Sequence, residues 1–460
     1  WRGDGERSSK AEANTDRMLA RDSFATSLGA VLATLGSAVG LGNIWKFPAL
    51  TGMNGGAAFV LLYLVCVALV GLPVMWAELT IGRSARANTV TAFQKLAPGE
   101  PWHLIGVSGV ISAVLIIGFY TVVAGWVFAY VFKAATGALA VPPEMTGEVF
   151  NALYTSPFEP LVWQWVVLAV TSAIVIAGVS RGIETATKRL MPLLFILLLI
   201  CDIRAMTLPG ARAGLTFLFQ PDLSKITITT LLTALGLAFF KLSLGMGCML
   251  TYGSYISSDQ NLWHTASKVV AADTTISLLA GMAIFPAVFA FGFEPTSGPA
   301  LLFITIPAVF RAMPLGGFFT FLFFVLVAVA AMGAMLSLME VPVAFLTERF
   351  RWKRLYGTLA TAGMMALLGV GAAFSSSLLS EFEVFGLTLF DLYDFTTSNI
   401  LLPLGGIFIA LFVGWRWRDE AVAENGGDRA VFRILTFFLR YVAPVAIAIV
   451  LLGGLNVIRL

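Results

Sequence analysis

Apolar residues along this 460-residue chain gather into eleven long, nearly unbroken runs. They fall at about 24–52, 57–82, 103–136, 161–179, 190–208, 227–256, 265–292, 315–347, 355–374, 388–414 and 433–456. Most reach the roughly 20 residues an α-helix needs to cross a bilayer. Lipid offers no partner to backbone N–H and C=O groups, so each run must close its own hydrogen bonds as a helix. A membrane β-barrel would alternate apolar and polar positions in segments of about ten residues, and these runs are continuous. The expected fold class is an all-α polytopic membrane protein embedded in the lipid bilayer.

Two runs are interrupted. The first contains GSAVGLGN (Gly36 to Asn43) and the sixth contains SLGMG (Ser243 to Gly247). Glycine tolerates non-helical backbone, and one such run alone reads as a kinked or closely packed helix. Two of them, five helices apart, fit a five-plus-five inverted repeat with broken helices 1 and 6 and a binding site at the midplane. The expected division is a tail at 1–20, a first repeat at 21–208, a second at 227–414, and an eleventh helix at 433–456.

Composition narrows the function. Hydrophobic residues make up 58% of the chain and charged residues 12%, against about a quarter charged in soluble domains. That excludes a soluble enzyme, a disordered chain and a nucleic-acid binder. A net charge of +3, two histidines and three cysteines give no reason to expect a polyanionic partner, a histidine/cysteine metal centre or a disulfide framework. Cys66, Cys201 and Cys248 lie in apolar runs and read as core, and no catalytic constellation is present. Residues 1–20 are polar, lack a signal-peptide pattern and read as a mobile cytoplasmic tail. Lysine and arginine gather in alternate loops, at Arg83, Arg86 and Lys95, at Arg181, Lys188 and Arg189, at Lys268, at Arg349 to Arg354, and at Arg416 to Arg433. The opposite loops hold mainly Arg204, Arg212, Lys225 and Arg311. This bias puts the N-terminus in the cytoplasm and, with eleven spans, the C-terminus outside a bacterial inner membrane. Asp202 and Arg204 in the fifth run receive no role.

Several segments together resemble the neurotransmitter:sodium symporter family. They are RDSFATSLGAVLATLGSAVGLGNIWKFPAL (Arg21 to Leu50), NGGAAF (Asn54 to Phe59), LPVMWAELTIGR (Leu72 to Arg83), AFFKLSLGMG (Ala238 to Gly247) with TYGSY (Thr251 to Tyr255), and LFDLYDF (Leu389 to Phe395). The resemblance spans nearly all of the chain after the tail, and eleven helices match the bacterial amino-acid branch. It implies a substrate held between helices 1, 3, 6 and 8. Leu41 and Gly42 match the amides that meet a substrate carboxylate, and Tyr120 matches the hydroxyl that does the same. Ala38, Phe240 and Ser243 match groups around the substrate amine. The side-chain pocket would be Ser37, Ile116, Phe240, Met246, Ala334 and Leu338. Each alone reads as packing; the set carries the weight. Gly40 stands where monoamine carriers have aspartate, which points to amino acids, and the apolar pocket favours bulky aliphatic or aromatic ones.

The gates follow from the same resemblance. Lys46 and Asp394 match the outer pair, with Phe240 or Phe119 as an apolar lid. Lysine forgoes the bidentate fork of arginine, so a looser gate is expected. Arg21 and Glu348 match the inner pair, with Ser254 and Tyr255 nearby. Phe24 replaces the usual tryptophan. Glu78 matches a buried carboxylate that satisfies donors of the broken sixth helix.

The ion sites depart from the family. At the first sodium site Asn43 is present, but the threonine position is Lys241. The asparagine position, eight before Gly281, is Asp273. A lone midplane lysine would be costly, whereas a Lys241–Asp273 pair is self-consistent. The expectation is that the Lys241 ammonium replaces the first sodium, donates to Asn43 and the substrate carboxylate, and is neutralised by Asp273. At the second site the carbonyls of Gly36, Val39 and Ala330 remain, but the helix 8 hydroxyl pair becomes Gly333 and Ala334. A chloride site is not expected either: Tyr63 and Ser277 match two of its groups, yet Leu237 stands where glutamine belongs. No cofactor is expected. Sodium coupling is expected to be lost, and the residues leave open a proton shared by the pair or an uncoupled exchanger. The expected function is a secondary transporter of neutral hydrophobic or aromatic amino acids. The alternatives are a sodium-coupled symporter with rebuilt ion sites and a non-transporting amino-acid sensor. A channel lacks a filter motif. Oligomeric state is not legible.

Overall fold

The computed structural model describes residues 22–292, 301–426 and 430–455. The tail at 1–20 and the gate residue Arg21 lie outside the described residues. Helices occupy the expected runs. They are α1 (Ser27–Ala38 and, after a break, Gly42–Met53), α2 (Ala57–Ala85), α3 (His103–Ala135), α4 (Glu159–Ile176) and α5 (Val179–Met206). Next come α6 (Ile228–Lys241 and Cys248–Gly253), α7 (Leu262–Ala290), α8 (Gly316–Phe350), α9 (Arg354–Phe374), α10 (Leu389–Arg416) and α11 (Ala430–Gly454). No β-strand forms among the described residues.

α5 begins earlier than its apolar run, because the polar turn carrying Arg181, Lys188 and Arg189 continues the helix instead of forming a loop. Glu184 explains this turn. Its carboxylate takes the Lys188 ammonium at 2.6 Å, the Ala25 amide at 2.6 Å and the Thr26 hydroxyl at 2.9 Å, tying the start of α5 to the start of α1. The polar stretch after α10 likewise contains a short helix, Arg418–Glu424. It docks through Arg83 of α2, whose guanidinium reaches Glu424 Oε1 at 2.7 Å, the Glu424 carbonyl at 2.8 Å and the Gln260 carbonyl at 2.6 Å.

Burial sorts the helices. In α8, 78% of the most apolar stretch is buried, against 28% in α11. α8 is therefore central and α11 faces the surroundings. α3 packs along α8, with α4 and α9 against α3, while the first half of α1 lies against α5, α7 and α8. The halves of α6 pack on α2. The two broken helices thus meet beside a group of long ones, with the non-helical backbone at their breaks buried in the middle of the bundle.

Candidate functional site

The break in α6 is dictated locally. Ser243, Gly245 and Gly247 all adopt positive φ, at 53°, 77° and 78°. That left-handed backbone ends an α-helix and suits glycine. A Cβ at Gly245 would stand 2.5 Å from the Leu402 carbonyl oxygen, so only glycine fits there. The freed Gly245 amide donates to Glu78 Oε1 at 2.7 Å, as the sequence leads one to expect of a carboxylate inside α2. In α1 the break spans Val39 to Leu41. Asn43 Oδ1 accepts the Gly40 amide at 3.1 Å, and Tyr120 OH accepts the Leu41 amide at 3.1 Å.

Between the breaks lies a cavity of about 330 Å³, lined by Ser37, Ala38, Gly42, Ile116, Tyr120, Phe240, Lys241, Ser243, Met246, Ala334 and Leu338. Leu41 lies instead in an adjoining cavity of about 350 Å³ with Gly42, Lys46, Phe119, Tyr120, Phe240 and Asp394. Phe240 separates the two. The Lys46 ammonium sits 3.8 Å from the centre of the Phe240 ring and 3.5 Å from Asp394 Oδ1. Ser398 holds the same Asp394 oxygen at 2.9 Å. Phe119 packs edge-on against Phe390, 5.4 Å between centroids. This closes one end of the cavity, with the lysine contact at the long limit of an ion pair.

The opposite end, on the face that carries Arg83, Arg354 and Arg416, closes through different residues. Arg354 grips the buried Glu340 with both nitrogens, at 3.0 and 2.5 Å, and also donates to the Val175 carbonyl at 2.6 Å. Tyr255 OH donates to Glu340 Oε1 at 2.6 Å. Phe24 is buried edge-on against Tyr252 and Tyr255, and its amide donates to the Tyr255 carbonyl at 3.0 Å. Phenylalanine therefore still anchors this segment without an indole donor. Glu348 takes the backbone and side-chain amides of Asn88 at 2.8 and 2.9 Å. Sequence reasoning assigns Glu340 and Arg354 no part in closing this end and misses this network. The available signal was a carboxylate inside an apolar run, which demands a partner.

Lys241 and Asp273 meet. Their charged atoms are 3.1 Å apart, and both side chains are fully buried. The ammonium also donates to Tyr63 OH at 2.8 Å and to Ser277 Oγ, so its three protons have three acceptors. The expected Lys241–Asn43 bond is not formed. Asn43 Oδ1 is taken by Gly40, which turns the amide nitrogen toward Asp273 Oδ1 at 2.6 Å and Ser277 at 3.0 Å. With its protons committed, Lys241 has none left for a substrate carboxylate in this arrangement. Tyr63 and Ser277, the two residues matching a chloride site, are both bound to the lysine.

At the second ion position α1 packs directly on α8. A Cβ at Gly333 would lie 2.6 Å from the Gly36 carbonyl oxygen, and the Met191 methyl is 3.3 Å from that same point. Val39 and Ala330 are buried in the same two helices. No cluster of three or more metal-binding His, Cys, Asp or Glu side chains occurs among the described residues.

Two interrupted helices beside a shared cavity, with a charged cluster at either end, match an integral-membrane carrier of the broken-helix repeat class. The model of the sodium:neurotransmitter symporter family matches residues 21–151 and 158–459, and the chain belongs to that family. It is 38% identical over 441 residues to the sodium-dependent transporter YhdH of Bacillus subtilis, covering 95% of this chain and 98% of the relative. It is 36% identical over 449 residues to a sodium-dependent transporter of Haemophilus influenzae, covering 95% and 98%. Among solved structures, MhsT in complex with L-phenylalanine is 44% identical, with a TM-score of 0.89 over 95% of this chain and all of that one.

Proposed function

We propose that this protein carries neutral hydrophobic or aromatic amino acids by alternating access, and that it does so without sodium. The buried Lys241–Asp273 pair carries this reading. It puts a fixed cation, with all its protons committed, where the resemblance places the first sodium. The close contact of Gly36 with Gly333, and the lack of a hydroxyl pair there, support the same reading at the second position. The amino-acid class is supported by the apolar cavity, by Tyr120 and the Gly42 backbone that line it, and by the L-phenylalanine bound to MhsT. Gly40 supports it too, since a Cβ there would sit 3.0 Å from both Tyr120 OH and Ala334 Cβ. Residues 21–208 and 227–414 form the two repeats, and α11 is an addition. The face bearing Arg83, Arg354 and Arg416 is cytoplasmic, in a bacterial inner membrane.

A second reading, a sodium-coupled symporter with rebuilt ion sites, draws on the sodium dependence in the relatives' names. Uptake of radiolabelled leucine, tryptophan and tyrosine into proteoliposomes separates the two. It is run with a sodium gradient, a proton gradient, or neither. Uptake indifferent to sodium is expected, and sodium-driven accumulation would replace the first reading by the second. The proton arm divides symport from uncoupled exchange. Saturable binding without uptake in any arm would indicate a sensor.

A further inference from the structure

The apolar wall of the central cavity holds one polar side-chain atom with no nitrogen or oxygen partner. Ser37 lines the cavity, is 1% exposed, and its Oγ has no nitrogen or oxygen partner, only the Cys248 thiol. Serine and threonine inside helices ordinarily turn the hydroxyl back to a carbonyl one turn earlier. Thr34 does so with Ala30 at 2.7 Å, and Ser112 with Ser108 at 2.8 Å. Ser37 does not.

The other polar side chains around the cavity each have an oxygen or nitrogen partner, and Tyr120 keeps its proton for the carboxylate end of the ligand. Ser243 Oγ donates to the Ser37 carbonyl at 2.8 Å, Tyr120 OH accepts from Leu41, and Lys241 is held by Tyr63, Ser277 and Asp273. Ser337 donates to the Ala334 carbonyl at 2.9 Å. The Cys248 thiol pairs with Ser37, but a thiol is a weak partner that leaves hydrogen-bonding capacity on the hydroxyl unused. A buried hydroxyl held only by a weak partner is under-satisfied, and a ligand that supplies a stronger one removes that penalty.

We infer that Ser37 sets preference among the amino acids this cavity takes, favouring side chains with one hydrogen-bonding atom on an otherwise apolar body. The phenol of tyrosine and the indole of tryptophan have that chemistry. This rests on the proposed amino-acid function. Ile116, Met246, Ala334 and Leu338 supply the apolar body's surroundings and leave a charged side chain without compensation. The serine hydroxyl offers one proton and two lone pairs, enough for an indole N–H or a phenol O–H.

The test is competition against radiolabelled L-leucine on the purified full-length protein in detergent. Two matched pairs serve as probes: L-tyrosine with L-phenylalanine, and L-tryptophan with its benzothiophene isostere, in which sulfur replaces the indole N–H. The readout is the ratio within each pair. The wild type should favour the hydrogen-bonding member by about five- to tenfold. Ser37→Ala should bring both ratios to about one, and Ser37→Cys should fall between. Ratios near one in the wild type, or ratios that survive Ser37→Ala, would overturn the inference while leaving amino-acid binding intact. The wild-type ratios decide the matter even if the variant does not fold. Failure of leucine and every probe to bind would remove the proposed function, and this inference with it.

Discussion

Neutralising Lys241 or Asp273 alone should damage the protein far more than neutralising both. The two charges are 3.1 Å apart with neither side chain exposed. At an effective dielectric constant of about 20 their attraction is about 5 kcal/mol. Much of that offsets the loss of water from two ions, so the intact pair is worth little against a neutral pair of the same shape. Removing one partner leaves an uncompensated buried charge, which costs about 3–5 kcal/mol. Lys241→Met keeps an unbranched side chain one atom shorter, and Asp273→Asn keeps its shape, so cavity effects stay small. Each single variant should therefore lose about 3–5 kcal/mol, while the double should recover most of it. The free cysteines Cys66, Cys201 and Cys248 are all buried. Thermal unfolding in detergent, followed by a thiol-reactive fluorophore, reports their exposure directly. A double variant whose melting point falls by the sum of the two single shifts would refute the reasoning, because independent sites add and coupled ones do not.

Further predictions use the same protein. Replacing sodium with N-methylglucamine should leave the wild-type melting point unchanged, whereas Lys241→Thr with Asp273→Asn, which restores neutral ligands, should gain a sodium-dependent rise. Tyr120→Phe removes the hydroxyl held by the Leu41 amide and should weaken amino-acid binding about 10- to 100-fold in a competition assay, the range for hydrogen bonds to a charged group. Gly245→Ala forces a side chain at φ 77° against the Leu402 carbonyl and should destabilise the protein by at least about 1–3 kcal/mol, read as a lower melting point. Arg354→Gln leaves the buried Glu340 without its guanidinium and should raise labelling of a cysteine placed at Ser254, relative to the same cysteine in the parent protein.

The helices were legible because lipid simplifies the problem: long apolar runs have one way to satisfy their backbone. Their ends were less so. The polar start of α5 looked like loop because Glu184 satisfies its charges only through residues of α1, far away in sequence. The helix Arg418–Glu424 was hidden for the same reason, being docked by Arg83. The cavity lining was readable by position within motifs, and eleven of the twelve anticipated residues surround one space. The pairing of Lys241 with Asp273 was inferred because one buried charge requires another. Which protons go where was not readable, since that depends on the turn that lets Gly40 occupy Asn43 Oδ1. The Arg354–Glu340–Tyr255 network was missed because motif matching drew the eye to Arg21 and Glu348.

Phe240 and Lys241 are neighbours in the chain, at the end of the first half of α6. One is the ceiling of the cavity and lies under the Lys46 ammonium. The other is pinned by Tyr63, Ser277 and Asp273. Successive helical residues turn together, so the ceiling cannot swing aside without pulling on the pin. On the proposed alternating-access cycle Lys241 would act as a return spring, its three bonds drawing the half-helix back each time the Lys46–Asp394 end opens. Softening that spring through Ser277→Ala should lengthen the dwell in the form open at the Lys46–Asp394 end, measurable as a slower recovery of a fluorophore pair placed across that end.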